Sequence, residues 1–350
     1  MHPISASYHQ YILDFKNPSG TSRGVLTQKE TWFIVLKSGN KKGIGECGLL
    51  HGLSIDDRPD YEAKLKWTCE NIHLGFEHLW MQLLEFPSIQ MGLETAFLSL
   101  KSENPFQIFP SDFTQNQTPI LINGLIWMGE ESFMLSQIET KLKEGFSCIK
   151  LKIGAIDFKT ELKLLASIRK EFDAKTIEIR VDANGAFSPT DALPKLNDLA
   201  QYNLHSIEQP IAKGQVDEMA LLCEKTPLPI ALDEELIGVF HESEKRNLLE
   251  KIRPQYIILK PSFVGGLKGS LSWISMAESL GIKWWITSAL ESNIGLNAIA
   301  QWTFTLNNKM PQGLGTGGLY TNNFDCPLTV SKGFLHYDVE KEWVKPDFFD

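Results

Sequence analysis

From residue 148 onward, short apolar runs alternate with longer segments of helical spacing, and each early run ends on a charge. Cys148-Ile149-Lys150-Leu151-Lys152-Ile153 sets the pattern. Successive side chains of a strand point to opposite faces, so Ile149, Leu151 and Ile153 share one face and Lys150 and Lys152 the other. Residues 177–181 then run into Asp182, 205–207 into Glu208, 229–232 into Asp233 and 256–259 into Lys260. From Lys152 on, these charges lie 30, 26, 25 and 27 residues apart. Each interval holds one strand, one helix and two loops, the period of a parallel β/α barrel. Barrels of this kind carry catalytic groups at the C-terminal ends of strands. A lone Lys-x-Lys is ordinary on an edge strand. Five strand-end charges in the order Lys, Asp, Glu, Asp, Lys form a specific signal.

The pattern extends in both directions. Ile120-Leu121-Ile122-Asn123-Gly124 is predicted as the first barrel strand and 131–145 as its helix, closed by a C-capping glycine. Residues 283–288 are predicted as the seventh strand, 290–306 as a helix, and 312–318 as a short eighth strand and loop. Residues 1–115 lack this period. There 4–16 reads as extended, 31–36 as a strong strand and 42–48 as its hairpin partner, while 61–84 and 92–100 carry helical spacing. Segments 18–24 and 48–60 have the turn-forming composition of loops that close over a site. A small antiparallel sheet followed by helices reads as a separate α+β domain. The expected fold is α/β: a modified TIM barrel, (β/α)₇β, over 116–319, with an α+β capping domain at 1–115 to which 320–350 return.

Composition sets the outer limits. The chain has 350 residues, 43% of them hydrophobic, ordinary for a water-soluble globular protein. Its formal net charge of −9 argues against nucleic-acid binding. No run of apolar residues is long enough to span a membrane, and residues 1–14 lack the layout of a signal peptide. The five cysteines are scattered and odd in number, as in a reduced, cytoplasmic setting. Self-association into a homo-oligomer is left open.

The strand-end charges carry the chemistry. Asp182, Glu208 and Asp233 close three consecutive strands, and neighbouring strands lie about 4.8 Å apart. Three carboxylates that close do not all ionise without positive charge among them. A few hard oxygen ligands suit Mg²⁺; the plainer reading is helix N-caps. Lys260 faces Lys150 and Lys152 across the mouth, where the plainer reading is a snorkelling strand-end lysine. Asn184, in Asp182-Ala183-Asn184-Gly185, is equally a pocket amide and a turn former. Ser288 ends the seventh strand, and Gly315 and Gly317 bracket Thr316; Gly-rich backbone there can bind anions.

Together, Lys150-x-Lys152, Asp182-x-Asn184, Glu208-Gln209-Pro210, Asp233-Glu234 and Lys260-Pro-x-x-x-Gly-Gly resemble the muconate-lactonising subgroup of the enolase superfamily. Segments 21–26, 287–292 and 313–317 are similar to those of a dehydrating branch of it. The resemblance implies Mg²⁺ held by Asp182, Glu208 and Asp233, and a small-molecule carboxylate substrate. It further implies that Lys152 removes the proton α to the carboxylate while Lys260 stabilises the enediolate from the opposite face. Enzymes of this superfamily pair a Lys or His base with Mg²⁺. Lys150, Asn184, Ser262, Ser288, Gly315 and Arg23 are the expected substrate contacts. Racemases and dipeptide epimerases of the subgroup would use Lys152 and Lys260 as two bases. The epimerases carry an Asp-x-Asp near the eighth strand, where this chain reads Gly315-Thr316-Gly317-Gly318.

Overall fold

The computed structural model describes residues 2–21, 24–127 and 129–349. An N-terminal antiparallel sheet runs β1 (Ser5–Thr21), β2 (Gly24–Ser38) and β3 (Lys41–Cys47) in that order. β2 buries both faces. Trp32, Ile34 and Leu36 pack towards α1 (Tyr61–Glu70), α2 (Phe76–Gln82) and α3 (Pro87–Lys101), whereas Phe33 and Val35 pack with Ile44, Phe106, Ile294, Phe324 and Phe349. Residues 18–21 and Gly24 are not part of the loop that the composition of 18–24 suggested. Ser19, Gly20 and Thr21 pair with Leu26, Val25 and Gly24, extending the β1–β2 ladder. The register shifts between Asp14 and Ser19, where Pro18 cannot donate to the ladder. The helical stretch expected over 61–84 breaks at Gly75, whose φ of 79° lies in the region glycine favours.

α3 lies directly on β3 because both carry glycine at the contact. A Cβ on Gly45 would sit 1.9 Å from the Gly92 carbonyl oxygen, and one on Gly92 would sit 2.2 Å from Cys47 Sγ. Beyond α3, α4 (Asp112–Gln115) leads to β4 (Ile120–Leu121) and β5 (Gly124–Ile126).

From β5 the chain alternates: α5 (Glu131–Lys143), β6 (Cys148–Lys152), α6 (Phe158–Glu171), β7 (Glu178–Asp182), α7 (Pro189–Ala200), β8 (Ser206–Glu208), α8 (Val216–Lys225) and β9 (Ile230–Leu232). It continues with α9 (Glu242–Ile252), β10 (Tyr256–Leu259), α10 (Pro261–Val264), α11 (Gly266–Ser279), β11 (Lys283–Ile286) and α12 (Asn293–Thr305). β5 to β11 form one seven-stranded sheet in chain order, every pair parallel. The eighth position is only two residues wide. Gln312 bridges Ile122 and Gly313 bridges Thr287, both in parallel, so the sheet curls shut as a (β/α)₇β barrel. The apolar run expected as one first strand serves two sheets. Ile120 and Leu121 turn away to pair antiparallel with Leu335 and Phe334, and the barrel strand begins at Gly124, opposite Ile149. Hydrophobicity marks both halves as buried but does not say which neighbour receives their hydrogen bonds.

After the barrel the chain runs back along the N-terminal sheet. Tyr320 bridges Phe15, and the Asn322 side chain bonds the Asp14 amide and the Ile12 carbonyl. The hairpin β12 (Leu328–Ser331) and β13 (Phe334–Tyr337) lies beside β4. Among the described residues no helix is long and apolar enough to cross a membrane.

Segment 48–60 is pinned rather than loose. Asp56, fully buried, accepts hydrogen bonds from the Ser88 amide (2.9 Å) and hydroxyl (2.6 Å) at the start of α3. Burial, outweighing those hydrogen bonds, pushes its carboxyl up to about 6.

Two outcomes are expected. Gly45→Ala should destabilise the fold by about 3 kcal/mol or more, because backbone rather than a flexible side chain blocks the new methyl; a urea-denaturation midpoint unchanged from wild type would contradict this. For Asp56, the folded pKa exceeds the unfolded one, so the protonated form favours folding and the contribution is lost as pH rises through about 6. The full effect is on the order of 3 kcal/mol. Asp56→Asn should therefore gain stability relative to wild type at pH 8 compared with pH 4, and equal pH dependence of the two proteins would refute the assignment.

Candidate active site

β6, β7 and β8 align their C-terminal ends: Lys152 is opposite Asp182, and Asp182 opposite Glu208. Asp233 and Lys260 follow directly after β9 and β10. Counting the two-residue eighth position, β6 and β10 are four places apart in an eight-place ring. Lys152 and Lys260 therefore rise from opposite walls, with the three carboxylates along the arc between them. Parallel strands bring their C-terminal ends to one rim, so the 25–30-residue spacing of the sequence becomes a cluster.

The lysines lie on the carboxylates. Lys150 Nζ is 3.0 Å from Asp182 Oδ2 and donates to Glu208 Oε2. Lys152 Nζ donates to Asp182 Oδ2 (3.0 Å) and Asn184 Oδ1 (2.7 Å). Lys260 Nζ donates to Asp233 Oδ2. All three carboxylates are almost fully buried. Burial alone would raise Asp182, but Lys150, Lys152 and Lys260 together hold it far below the carboxylate range. Glu208 moves the other way, pushed up by burial and by the neighbouring Asp182 and Asp233 charges. For Lys150 and Lys260 burial favours the neutral amine, yet the adjacent carboxylates win and both are raised.

Asn184 is a turn residue whose side chain also joins the charged cluster. Its φ of 45° makes it a left-handed turn residue, while its side chain accepts from Lys152 and donates to Glu234 Oε1 (2.9 Å). Gln209, at φ 38°, ties the next two strand ends: its Oε1 accepts from the Asp233 and Glu235 amides, both at 3.3 Å. Non-glycine residues held with positive φ cluster at functional sites. In the sequence, Gln209 and Glu234 stood out only as parts of motifs; positive φ is not visible there.

On the remaining wall, Ser288 Oγ lies 2.6 Å from Thr316 Oγ1, and both residues are buried. Gly315 is exposed beside them. Ser262 is elsewhere: fully buried, it donates to Glu291 Oε1 (2.6 Å) and points towards Gly48 of the N-terminal unit. Lys150 lies against Asp182 and Glu208, its side chain 10% exposed against 12% for both Lys152 and Lys260. Arg23 lies outside the described residues.

Whether this donor set suits Mg²⁺ can be judged from its atoms. Among the described residues, no three or more His, Cys, Asp and Glu side chains are arranged as a ready-made metal cage. The donor chemistry fits all the same: three hard oxygen donors end successive strands, and Glu208 Oε1 is buried with no hydrogen-bond partner. A buried, unsatisfied carboxylate oxygen is costly unless a cation meets it.

Residues 134–340 match the enolase C-terminal domain-like family. The chain belongs to that family. It is 48% identical to the o-succinylbenzoate synthase of Desulfotalea psychrophila, over 96% of this chain and 99% of that one. The crystal structure of MenC from Desulfotalea psychrophila superposes with a TM-score of 0.85 at 44% identity, covering 95% of this chain and 99% of that chain. The muconate lactonizing enzyme of Pseudomonas fluorescens, complexed with muconolactone, shares the fold at a TM-score of 0.79 and 21% identity, covering 96% and 93%. The enolase-superfamily resemblance read from the strand-end motifs is thus borne out, and so is the barrel with its N-terminal antiparallel sheet.

If Glu208 Oε1 awaits a cation, Glu208→Gln should weaken Mg²⁺ binding by at least about tenfold, roughly 1.4 kcal/mol, with the circular dichroism spectrum intact. Titration calorimetry reads this directly, and equal affinity in both proteins would remove Glu208 from the ligand set.

Proposed function

We propose that the chain is an o-succinylbenzoate synthase: it removes water from 2-succinyl-6-hydroxy-2,4-cyclohexadiene-1-carboxylate to give 2-succinylbenzoate in menaquinone biosynthesis. The observation that carries this reading is 48% identity to such a synthase along nearly the whole of both chains. The placement of Lys152 and Lys260 on opposite walls supports it.

The chemistry follows from that placement. The substrate ring lies between the walls, with its carboxylate towards Asp182, Glu208 and Asp233, the residues that would hold Mg²⁺. When bound, Mg²⁺ supplies positive charge beside the substrate carboxylate, where negative charge builds up as the α-proton leaves. Lys152, as the neutral amine, takes that proton; the C–H electron pair passes into the carboxylate as an enediolate. Lys260, kept cationic by Asp233 and Glu208, faces that charge from the other side. The enediolate then collapses, the C–OH bond breaks, and the Lys152 ammonium returns its proton to the departing hydroxyl. Water leaves, the ring is aromatic, and Lys152 is again neutral. One base on one face is enough. Asn184 orients Lys152 through its 2.7 Å hydrogen bond. The Ser288–Thr316 hydroxyl pair would meet the succinyl group.

A second reading shares that observation. Lysines on opposite walls also suit a two-base racemase acting on N-acylamino acids.

Purified protein with Mg²⁺ should bleach the cyclohexadiene absorbance. Lys152→Ala should lower kcat at least about 10³-fold, within the range general-base removal produces, and Lys260→Ala should cripple turnover through lost electrostatic stabilisation. No bleaching, together with rapid deuterium exchange into both enantiomers of an N-acylamino acid, would overturn the synthase in favour of the racemase.

A further inference from the structure

The turn between β11 and α12 carries Ser288 on the barrel wall, and its backbone is strained. Leu290 has a φ of 63°, in the left-handed region that a residue with a Cβ rarely adopts. Such a conformation is costly and persists only where its surroundings hold it. Hydrogen bonds hold it here at each step. The Ser288 amide donates to the Gly313 carbonyl (3.0 Å). The buried Glu291 carboxylate accepts from the Ala289 amide (2.6 Å), and the buried Tyr320 hydroxyl donates to the Leu290 carbonyl (2.7 Å). Ser292 then caps α12, its hydroxyl oxygen accepting from the Ile294 amide (3.2 Å).

The last anchor comes from outside the barrel. Glu46 of β3, to which the proposed chemistry gives no part, is 1% exposed. Its Oε1 accepts from the Ser292 amide (2.9 Å) and from Thr31 Oγ1 (2.8 Å). Its Oε2 accepts from the Ser292 hydroxyl and from the Gly295 amide (2.9 Å). Three of these four donors stand at the start of α12, where amides lack partners within the helix and its dipole favours an anion. Gly295 makes the room. A Cβ there would lie 2.8 Å from Glu46 Oε2 and 2.9 Å from Glu291 Cβ, so one glycine seats both carboxylates that hold the turn. Glu46 stands 246 positions from Ser292 in the chain, and it ties the N-terminal sheet to the wall that carries Ser288.

We propose that Glu46 is a positioning residue: by fixing Ser292 it anchors the turn 288–292 at its helix end, and so sets the Ser288 hydroxyl where it meets the substrate's succinyl group. Three residues separate Ser288 from Ser292, and the middle one carries the strain. Releasing Ser292 lets Leu290 relax and shifts Ser288 away from Thr316 Oγ1, now 2.6 Å from its hydroxyl. The reading rests on the synthase function proposed above. Wild-type turnover tests that function without any Glu46 variant, so the two can fail separately.

The test compares Glu46→Gln, Ser288→Ala and the double variant Glu46→Gln/Ser288→Ala in the full chain with Mg²⁺. Glutamine keeps the shape of Glu46, but its amide nitrogen cannot accept a hydrogen bond. The readouts are kcat, KM, the inhibition constants of 2-succinylbenzoate and of benzoate, and the thermal midpoint. Glu46→Gln is expected to raise KM and the 2-succinylbenzoate constant about tenfold, 1.4 kcal/mol. The benzoate constant stays within twofold, because benzoate has no succinyl chain to lose. Ser288→Ala gives the same pattern, and the double variant falls no further than the worse single one, because both act through Ser288. Ser292→Ala removes only a hydroxyl that donates to Glu46 and serves as the test, with the same pattern expected, if Glu46→Gln does not fold. A lower thermal midpoint with unchanged KM marks a helix cap that only stabilises, and overturns the proposal. So do equal losses for benzoate and 2-succinylbenzoate, or losses that multiply in the double variant.

Discussion

Three carboxylates and three ammonium groups share one end of the barrel, and the rest of the molecule keeps them there. Buried charges are tolerable only when paired, and losing one partner costs far more than the pair contributes. Asp182 is the centre: Lys150 and Lys152 both lie 3.0 Å from its Oδ2. That arrangement divides the lysines. Lys150 lies against Asp182 and Glu208 and holds negative charge together. Lys152 and Lys260 stand on opposite walls with an acidic partner each. The same feature makes the site expensive to fold and useful once folded.

Depth is supplied by closure. A seven-stranded sheet alone would leave an open edge, and the bridges of Gln312 to Ile122 and Gly313 to Thr287 remove it. Closure also puts Ser288 and Thr316 opposite the carboxylate arc. The N-terminal sheet turns one face of β2 to its own helices and the other to Ile294 of α12 and to Phe324 and Phe349 of the C-terminal segment, which is why β2 is buried throughout its middle. Contact at the β3–α3 glycine pair is so close that the helix follows the sheet without a side chain between them.

Several elements were legible from residue order. The 25–30-residue recurrence of strand-end charges marked the barrel, because a parallel strand can return only after a crossover, and a helix with two loops has a narrow length range. Asp182, Glu208, Asp233, Lys152 and Lys260 were identifiable for the same reason: strand ends in a parallel barrel share one rim. Other features were hidden. Segment 18–24 has the composition of a loop, but Ser19, Gly20, Thr21 and Gly24 are held as strand by cross-strand partners. The run 120–124 reads as a single strand, and its division between two sheets depends on β13, about two hundred residues later. Ser262 was expected as a substrate contact, whereas its hydroxyl donates to Glu291, a pairing that no local pattern shows.

What the sequence determined by itself was therefore periodic: the parallel barrel, the order of its charges and the chemistry those charges permit. Such information is local, since alternation fixes faces and spacing fixes crossovers. What only the tertiary structure decided was pairing across long separations. Which carboxylate each lysine meets, which strand closes the ring, and that Glu46 and Ser292, far apart in the chain, become hydrogen-bonded neighbours all depend on the barrel curling shut and the N-terminal sheet settling against it. No local pattern encodes those contacts, because each is the joint result of every crossover between its two partners.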